Sequence, residues 1–427
     1  MSNYGFNTNC VHAGYKAESG EPQVLPIVQN TTYRYYNAKD VAAMFDLESD
    51  TFMYSRIGHP DEDALEKKMA ELEGGSAAVA ASSGMAAIFL AVSTLCSAGD
   101  HIISSSSVYG GTFNLFGVTL KKFGIDCTFI DQNAGIEEIV AAAKPRTRLI
   151  FGESLANPAL TVMDFEKFSA AARQLNVPLI VDNTLATPYL CRPIEHGADI
   201  VIHATTKWAD GQATSMGGIV VESGKFDWAK DNKYPEITDP DESYHGTKFY
   251  EAFGPAAFSM KLRVCSLRDF GCCISPMNSW LTFQGLQHLP VRMQRHTENA
   301  QALAEFLEAH PKVDWVIYPG LKSNDTYELA QKYLPDGAGG VLTFGVKGGR
   351  EAGERFLENL KLTSIVVHVG DIHTCVLHPA STTHRQLTEE EQIAAGIPPE
   401  LIRASVGLEN IEDIKADFDQ ALNAAVK

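Results

Sequence analysis

P-L-I-V-D-N-T-L-A-T-P-Y-L-C-R-P-I-E-H-G-A-D-I-V-I-H-A-T-T-K runs from Pro178 to Lys207. It contains two short apolar runs rich in β-branched residues. The first closes on Asp182, and the second delivers Lys207, 25 positions further on. A strand with one face in water alternates apolar and polar residues. These runs do not alternate, so they read as strands covered on both faces, which is the habit of a parallel sheet in an α/β protein. Outward from here the pattern repeats. Ala77–Ala81, His101–Ser104, Cys127–Ile130, Arg148–Glu153, Pro178–Asp182 and Asp199–His203 are predicted strands. Met85–Cys96 and Phe165–Leu175 are predicted helices between them. Strands alternating with helices give a mainly parallel sheet with helices on both faces.

A chain of 427 residues is too long for one small core, and two domains are expected. Residues 1–60 are irregular, with Pro22, Pro26 and Pro60, and read as an arm that packs on something else. Residues 61–260 form the large α/β unit, with an Asp-, Pro- and Tyr-rich surface excursion at 224–254. Residues 261–427 form a smaller α+β unit, with a helix at Leu289–Ala309 and strands near Trp315–Tyr318 and Gly340–Val346.

Lys and Arg total 35 against 53 Asp and Glu, a formal charge of −18. That argues against nucleic acid as a partner, because phosphate binding needs clustered cations. The uncharged stretch from Ser76 to Gly99 is long enough to resemble a membrane span. Ser82, Ser83 and Gly84 in its middle make it a buried strand, a turn and a buried helix instead. The N-terminus lacks the basic start and apolar run of a secretory signal. The eight cysteines show neither C-x-x-C nor a zinc spacing. Reduced, mostly buried thiols, a cytoplasmic location and no metal are the expectation.

In open α/β sheets ligands sit beyond the carboxyl ends of the strands. Those ends carry a distinctive set here. Asp182 and Lys207 each follow a strand, and Ser82-Ser83-Gly84-Met85 turns a strand into a helix N-terminus, whose free N–H groups can cradle a phosphate. Tyr109 follows the His101–Ser104 strand, and Asn157 follows Arg148–Glu153. A pyridine-aldehyde cofactor needs such a set: a lysine to bind the aldehyde, a carboxylate for the ring nitrogen, a helix terminus for the phosphate and an aromatic ring against the cofactor face. Each element alone is more often structural. A strand-end Asp usually caps a turn, a Ser-Ser-Gly turn usually caps a helix, and a lysine after a strand is usually solvated. On these residues the cofactor reading and the structural one stand level.

Motifs along the whole chain decide between them. Y-S-R at Tyr54–Arg56, V-D-N-T-L-A-T-P-Y-L from Val181, G-A-D-I-V-I-H from Gly197, S-Y-H-G from Ser243 and L-R-D-F-G from Leu267 are among them. Y-P-G-L from Tyr318, H-P-A-S-T-T-H from His378 and R-A-S-V-G-L-E from Arg403 complete the set. With these the chain resembles the Cys/Met-metabolism family of fold-type I pyridoxal-phosphate (PLP) enzymes, and within it the O-acetylhomoserine sulfhydrylases. The 224–254 excursion with G-K-F-D-W resembles the insertion that separates sulfhydrylases from shorter cystathionine synthases and lyases.

The resemblance implies a seven-stranded, mainly parallel large-domain sheet and a smaller C-terminal α+β domain. It implies that Lys207 binds PLP as a Schiff base and then shuttles protons, and that Asp182 pairs with the pyridine nitrogen. Gly84, Met85 and Thr206 hold the phosphate; Tyr109 stacks on the ring and is a candidate acid toward the leaving group. Asn157 lies near the cofactor's phenolic oxygen and the substrate carboxylate, which Arg403 clamps. Tyr54 and Arg56 reach a neighbouring subunit's phosphate, with Tyr54 also touching substrate, which implies a homo-oligomer, commonly a dimer of dimers. The implied reaction is γ-replacement on O-acetylhomoserine, a small amino-acid ester, by a sulfur nucleophile, giving homocysteine and acetate for methionine synthesis.

Four places depart from the pattern, one of them Ile57-Gly-His59-Pro60 after Y-S-R in place of the common I-x-N-P. The family's H-S-x-T-K is His203-Ala-Thr-Thr-Lys207, without the serine hydroxyl. Its G-G-H-G is Asp210-Gly-Gln212-Ala, and its A-N-V-G-D is Val367-His368-Val-Gly-Asp371. His368 therefore stands near the substrate carboxylate, as a plain hydrogen-bonding substitute or as a residue that changes substrate or sulfur donor. O-succinylhomoserine sulfhydrylase, cystathionine γ-synthase and methionine γ-lyase are the alternative activities. A low-turnover PLP-binding protein acting through a partner is an alternative of another class. Sulfur delivered as sulfide or on a carrier protein is not distinguished by residues.

Overall fold

The computed structural model describes residues 4–49, 51–383, 385, 386, 388–394 and 396–426. Seven strands make the larger sheet: β1 (Ala77–Ala81), β2 (His101–Ser105), β3 (Asp126–Ile130), β4 (Thr147–Glu153), β5 (Leu179–Asp182), β6 (Ile200–His203) and β7 (Gly218–Glu222). Their order is β1-β7-β6-β5-β4-β2-β3. The pairs from β3 through β2, β4 and β5 to β6 are parallel, and β7 runs antiparallel to both β1 and β6. All six predicted strands are present, as are the helices, at Gly84–Leu95 and Phe165–Leu175.

The non-alternating runs are apolar for the expected reason. Every residue of β5 and β6 is buried. Val181 and Val201 face one apolar cluster, while Ile180, Ile200 and Ile202 face another across the sheet. Each such side chain contributes about 1.5–3 kcal/mol on burial, which fixes the strands that carry Asp182 and Lys207.

A second sheet has the order β10-β11-β12-β9-β8, from β8 (Val313–Ile317), β9 (Val341–Val346), β10 (Ser364–Ile365), β11 (Cys375–Leu377) and β12 (Leu401–Ser405). Its core includes Phe344, Phe356 and Phe418. Helices Leu289–Glu308 and Ile411–Ala425 pack on it.

Two expectations are refined. The 224–254 segment is largely exposed, as a surface excursion would be, but it is anchored: Trp228, Tyr234, Ile237 and Phe249 are buried. Trp228 stacks on Phe258 at 5.6 Å, and the Tyr234 hydroxyl donates to the Arg148 carbonyl at 2.6 Å. Its aromatic residues supply apolar area that a solvated loop would leave exposed. The thiols are all free, but only Cys10, Cys96, Cys191 and Cys375 are buried. Among the described residues no helix is long and apolar enough to cross a membrane.

Candidate active site

Asp182 ends β5 and is buried. Its Oδ1 accepts from the Thr184 amide at 2.9 Å and the Thr184 hydroxyl at 2.5 Å. The same hydroxyl oxygen accepts the Ala204 amide at 2.8 Å. Thr184, which the sequence reading passed over, thus joins the end of β5 to the turn that presents Lys207. Burial raises the Asp182 carboxyl above its ordinary range, and the two Thr184 bonds work against that rise. One layer behind, His203 Nε2 lies 2.6 Å from Glu73 Oε1, which also accepts from Asn183 at 2.8 Å.

Lys207 is only partly exposed, and its neighbours come from the smaller sheet's side of the site. Its Nζ lies 3.2 Å from His368 Nδ1. Burial, and then the positive charge of Arg403, pull its amine down from 10.5 to about 8. Burial and the Lys207 charge lower His368 as well. Gly370 makes this approach feasible. It has φ +85°, and a Cβ there would fall 3.1 Å from Lys207 Cα and 2.9 Å from the Trp208 nitrogen.

Arg403 comes from β12. Its guanidinium makes long hydrogen bonds, 3.4 Å to Asn157 Oδ1 and 3.4 Å to the His368 carbonyl. Burial lowers its pKa, and no carboxylate forms an ion pair with it among the described residues. A half-buried guanidinium without its own counter-ion has the chemistry to receive a carboxylate.

The turn read as a phosphate cradle opens a helix. Ser83 caps the 12-residue Gly84–Leu95 helix, its hydroxyl accepting from the Ala86 amide at 3.1 Å. The amides of Gly84 and Met85 sit in the first turn, where no intrahelical acceptor exists. A Cβ on Gly84 would lie 2.5 Å from Ala204 Cβ, so only glycine lets the Lys207 turn and the helix meet. The Thr206 hydroxyl is engaged with Gly217, at 3.1 Å to its nitrogen and 3.2 Å to its carbonyl. The Thr205 hydroxyl is buried without a partner.

Tyr109 is half exposed. A Cβ built on Gly111 would fall 2.5 Å from Tyr109 Cε1 and 3.3 Å from Met85 Sδ, so ring, thioether and cradle converge. Tyr54 and Arg56 stand elsewhere. The Arg56 guanidinium lies over the Tyr54 ring at 5.2 Å and donates to the Arg268 carbonyl at 2.5 Å. None of their described contacts reaches Lys207, Asp182 or Gly84.

The donor set suits PLP: a partly buried amine of lowered basicity, a buried strand-end carboxylate, and a helix N-terminus cleared by Gly84. The model for Cys/Met metabolism PLP-dependent enzymes matches residues 7–423. The chain belongs to that family. It is 46% identical over 423 residues to a homocysteine synthase of Schizosaccharomyces pombe, covering 98% of both chains. It is also 46% identical to O-acetyl-L-homoserine sulfhydrylase 1 of Thermus thermophilus, covering 98% of this chain and 99% of that one. A Campylobacter jejuni crystal structure described as an O-acetylhomoserine (thiol)-lyase superposes with TM-score 0.95 at 37% identity, over 98% of this chain and all of that one. It carries N'-pyridoxyl-lysine-5'-monophosphate. The fold-type I architecture and the dependence on PLP expected from the motifs both hold.

Proposed function

We propose that this enzyme is an O-acetylhomoserine sulfhydrylase, replacing the γ-acetoxy group of O-acetylhomoserine with sulfur to give homocysteine and acetate. The observation that supports it most is the meeting of Lys207, Asn157, His368 and Arg403 at one place, in a chain 42–46% identical to relatives named for this activity or its product.

PLP bound here supplies an electron sink for charge developing on the substrate's carbon chain. Lys207 would bind its aldehyde, Asp182 would pair with the ring nitrogen, Gly84, Met85 and Thr206 would hold the phosphate, and Tyr109 would cover the ring. The chain's own residues do the rest. Arg403 and Asn157 grip the substrate carboxylate and fix the direction of the γ-carbon. Lys207 would move protons between the α- and β-carbons of the substrate and back. An amine held near 8 carries a proton loosely enough to serve as both acid and base near neutrality. Tyr109 would serve as the acid toward the leaving group. Tyr54, exposed, and Arg56, half-buried beside it, stand apart from Lys207 and suit a site completed by a second subunit of a tetramer.

Purified enzyme with PLP, O-acetylhomoserine and sulfide tests this directly. Homocysteine and acetate in equal amounts are expected. Turnover of O-succinylhomoserine alone, cystathionine from added cysteine as the main product, or elimination without a sulfur donor would each assign one of the alternative activities. Turnover only with a protein-bound thiocarboxylate, and none with sulfide, would replace the small sulfur donor with a carrier.

A further inference from the structure

The buried carboxylate of Glu153 takes no part in the roles above, yet it touches both walls of the site. It ends β4, lies directly across from Asp182 in the β4–β5 register, and is buried. Its Oε1 accepts the Tyr109 amide at 2.5 Å, and its Oε2 accepts the Asn157 amide at 3.1 Å. These donors belong to different loops, 44 and 4 positions away in sequence. Asn157 in turn accepts from Arg403 through its side chain.

We propose that Glu153 is a positioning residue that sets the spacing between the Tyr109 ring platform and the Asn157–Arg403 carboxylate clamp. The inference rests on the proposed roles of those residues. Its physical ground is the donor–acceptor count. A carboxylate offers acceptors at both ends and can hold two amides that point at it from opposite loops. Bonds to an ionised acceptor are the shorter and stronger kind. Burial, then the nearby Asp182, push the Glu153 carboxyl well above the usual carboxylate range, and the two amides work against that rise. A substrate gripped at its carboxylate by one loop and covered by an aromatic ring from the other is then oriented by a single rigid bracket.

Glu153→Gln is the test, because it conserves size while turning one oxygen into a donor that faces an amide it cannot accept. Hydrogen exchange in the apoenzyme reads the bracket without cofactor or substrate. The amides of Tyr109 or Asn157 are expected to exchange about tenfold faster or more, while β9 keeps its protection. With PLP bound, the visible circular dichroism of the cofactor should fall as its stacking ring loosens. The kcat/KM for the amino-acid substrate should fall on the order of a hundredfold, the scale of an ångström-sized misplacement. Unchanged exchange at both amides would overturn the proposal. So would protection lost evenly across the large sheet with a lower Tm and unaltered KM, since that marks a purely structural carboxylate. The exchange and dichroism results do not depend on which amino-acid ester is the substrate, so a wrong substrate assignment leaves this test standing.

Discussion

Replacing Ala204 by serine should tighten PLP binding, and the size of the gain follows from where Ala204 sits. Its Cβ is the atom nearest to the place a Gly84 side chain would occupy, at the mouth of the helix that offers the Gly84 and Met85 amides. Its own amide is held by Thr184, which also holds Asp182, so the backbone at 204 is fixed with respect to both ends of the cofactor site. A hydroxyl added there meets a doubly charged phosphate group. One hydrogen bond to a charged partner contributes about 1.5–3 kcal/mol, and about 1.4 kcal/mol is a factor of ten in affinity. The dissociation constant of PLP from Ala204→Ser enzyme should therefore fall by roughly ten- to a hundredfold. Titrating apoenzyme with PLP and following fluorescence quenching measures it, with a rise in holoenzyme Tm as the second readout. The opposing effect is crowding, since overpacking costs about 1–3 kcal/mol. An affinity that stays flat or weakens would refute the placement of the phosphate against residue 204.

Three further outcomes are expected. His368→Asn should leave PLP affinity within about twofold and shift KM for O-acetylhomoserine two- to tenfold, the value of about 0.5–1.5 kcal/mol for one hydrogen bond; an unchanged KM removes His368 from the substrate site. Gly84→Ala places a Cβ 2.5 Å from Ala204 Cβ, so it should weaken PLP binding and lower stability by about 1–3 kcal/mol, as seen by titration and thermal melting. The rate at which apoenzyme captures PLP needs the neutral lysine. With the Lys207 amine lowered to about 8, that rate should climb with pH and level off just above 8 in stopped-flow absorbance; an inflection near 10.5 would mean the amine is solvated.

Lys207 and Asp182 were legible because an apolar run that stops on a charged residue marks the end of a buried strand, and ligands of α/β sheets gather there. The Gly84 turn was legible for a related reason: an uncharged, small-residue turn between a buried strand and a helix leaves amides free. The 224–254 segment was legible as a surface excursion from its Asp and Pro residues, whereas the burial of its Trp228 and Tyr234 anchors was not. Glu153 stood in plain view at a strand end and was passed over. Nothing local says that its two oxygens are claimed by amides 44 positions before and 4 after. Thr184 was missed in the same way, since a threonine beside an aspartate is ordinary turn chemistry until Ala204 is brought to its hydroxyl.

The sequence by itself determined the α/β class, the order of the strands' charged ends and the cofactor family, because those depend on the local pattern of burial and on side-chain chemistry. Only the tertiary structure decided how the site closes. His368, Gly370 and Arg403 come from a region more than 160 residues beyond Lys207, and Glu153 binds loops that strand pairing alone brings together. Hydrogen bonds act over about 3 Å, while sequence separation says nothing about distances on that scale. The lysine that ends one strand was readable as an anchor, and the geometry around its amine had to be folded to be seen.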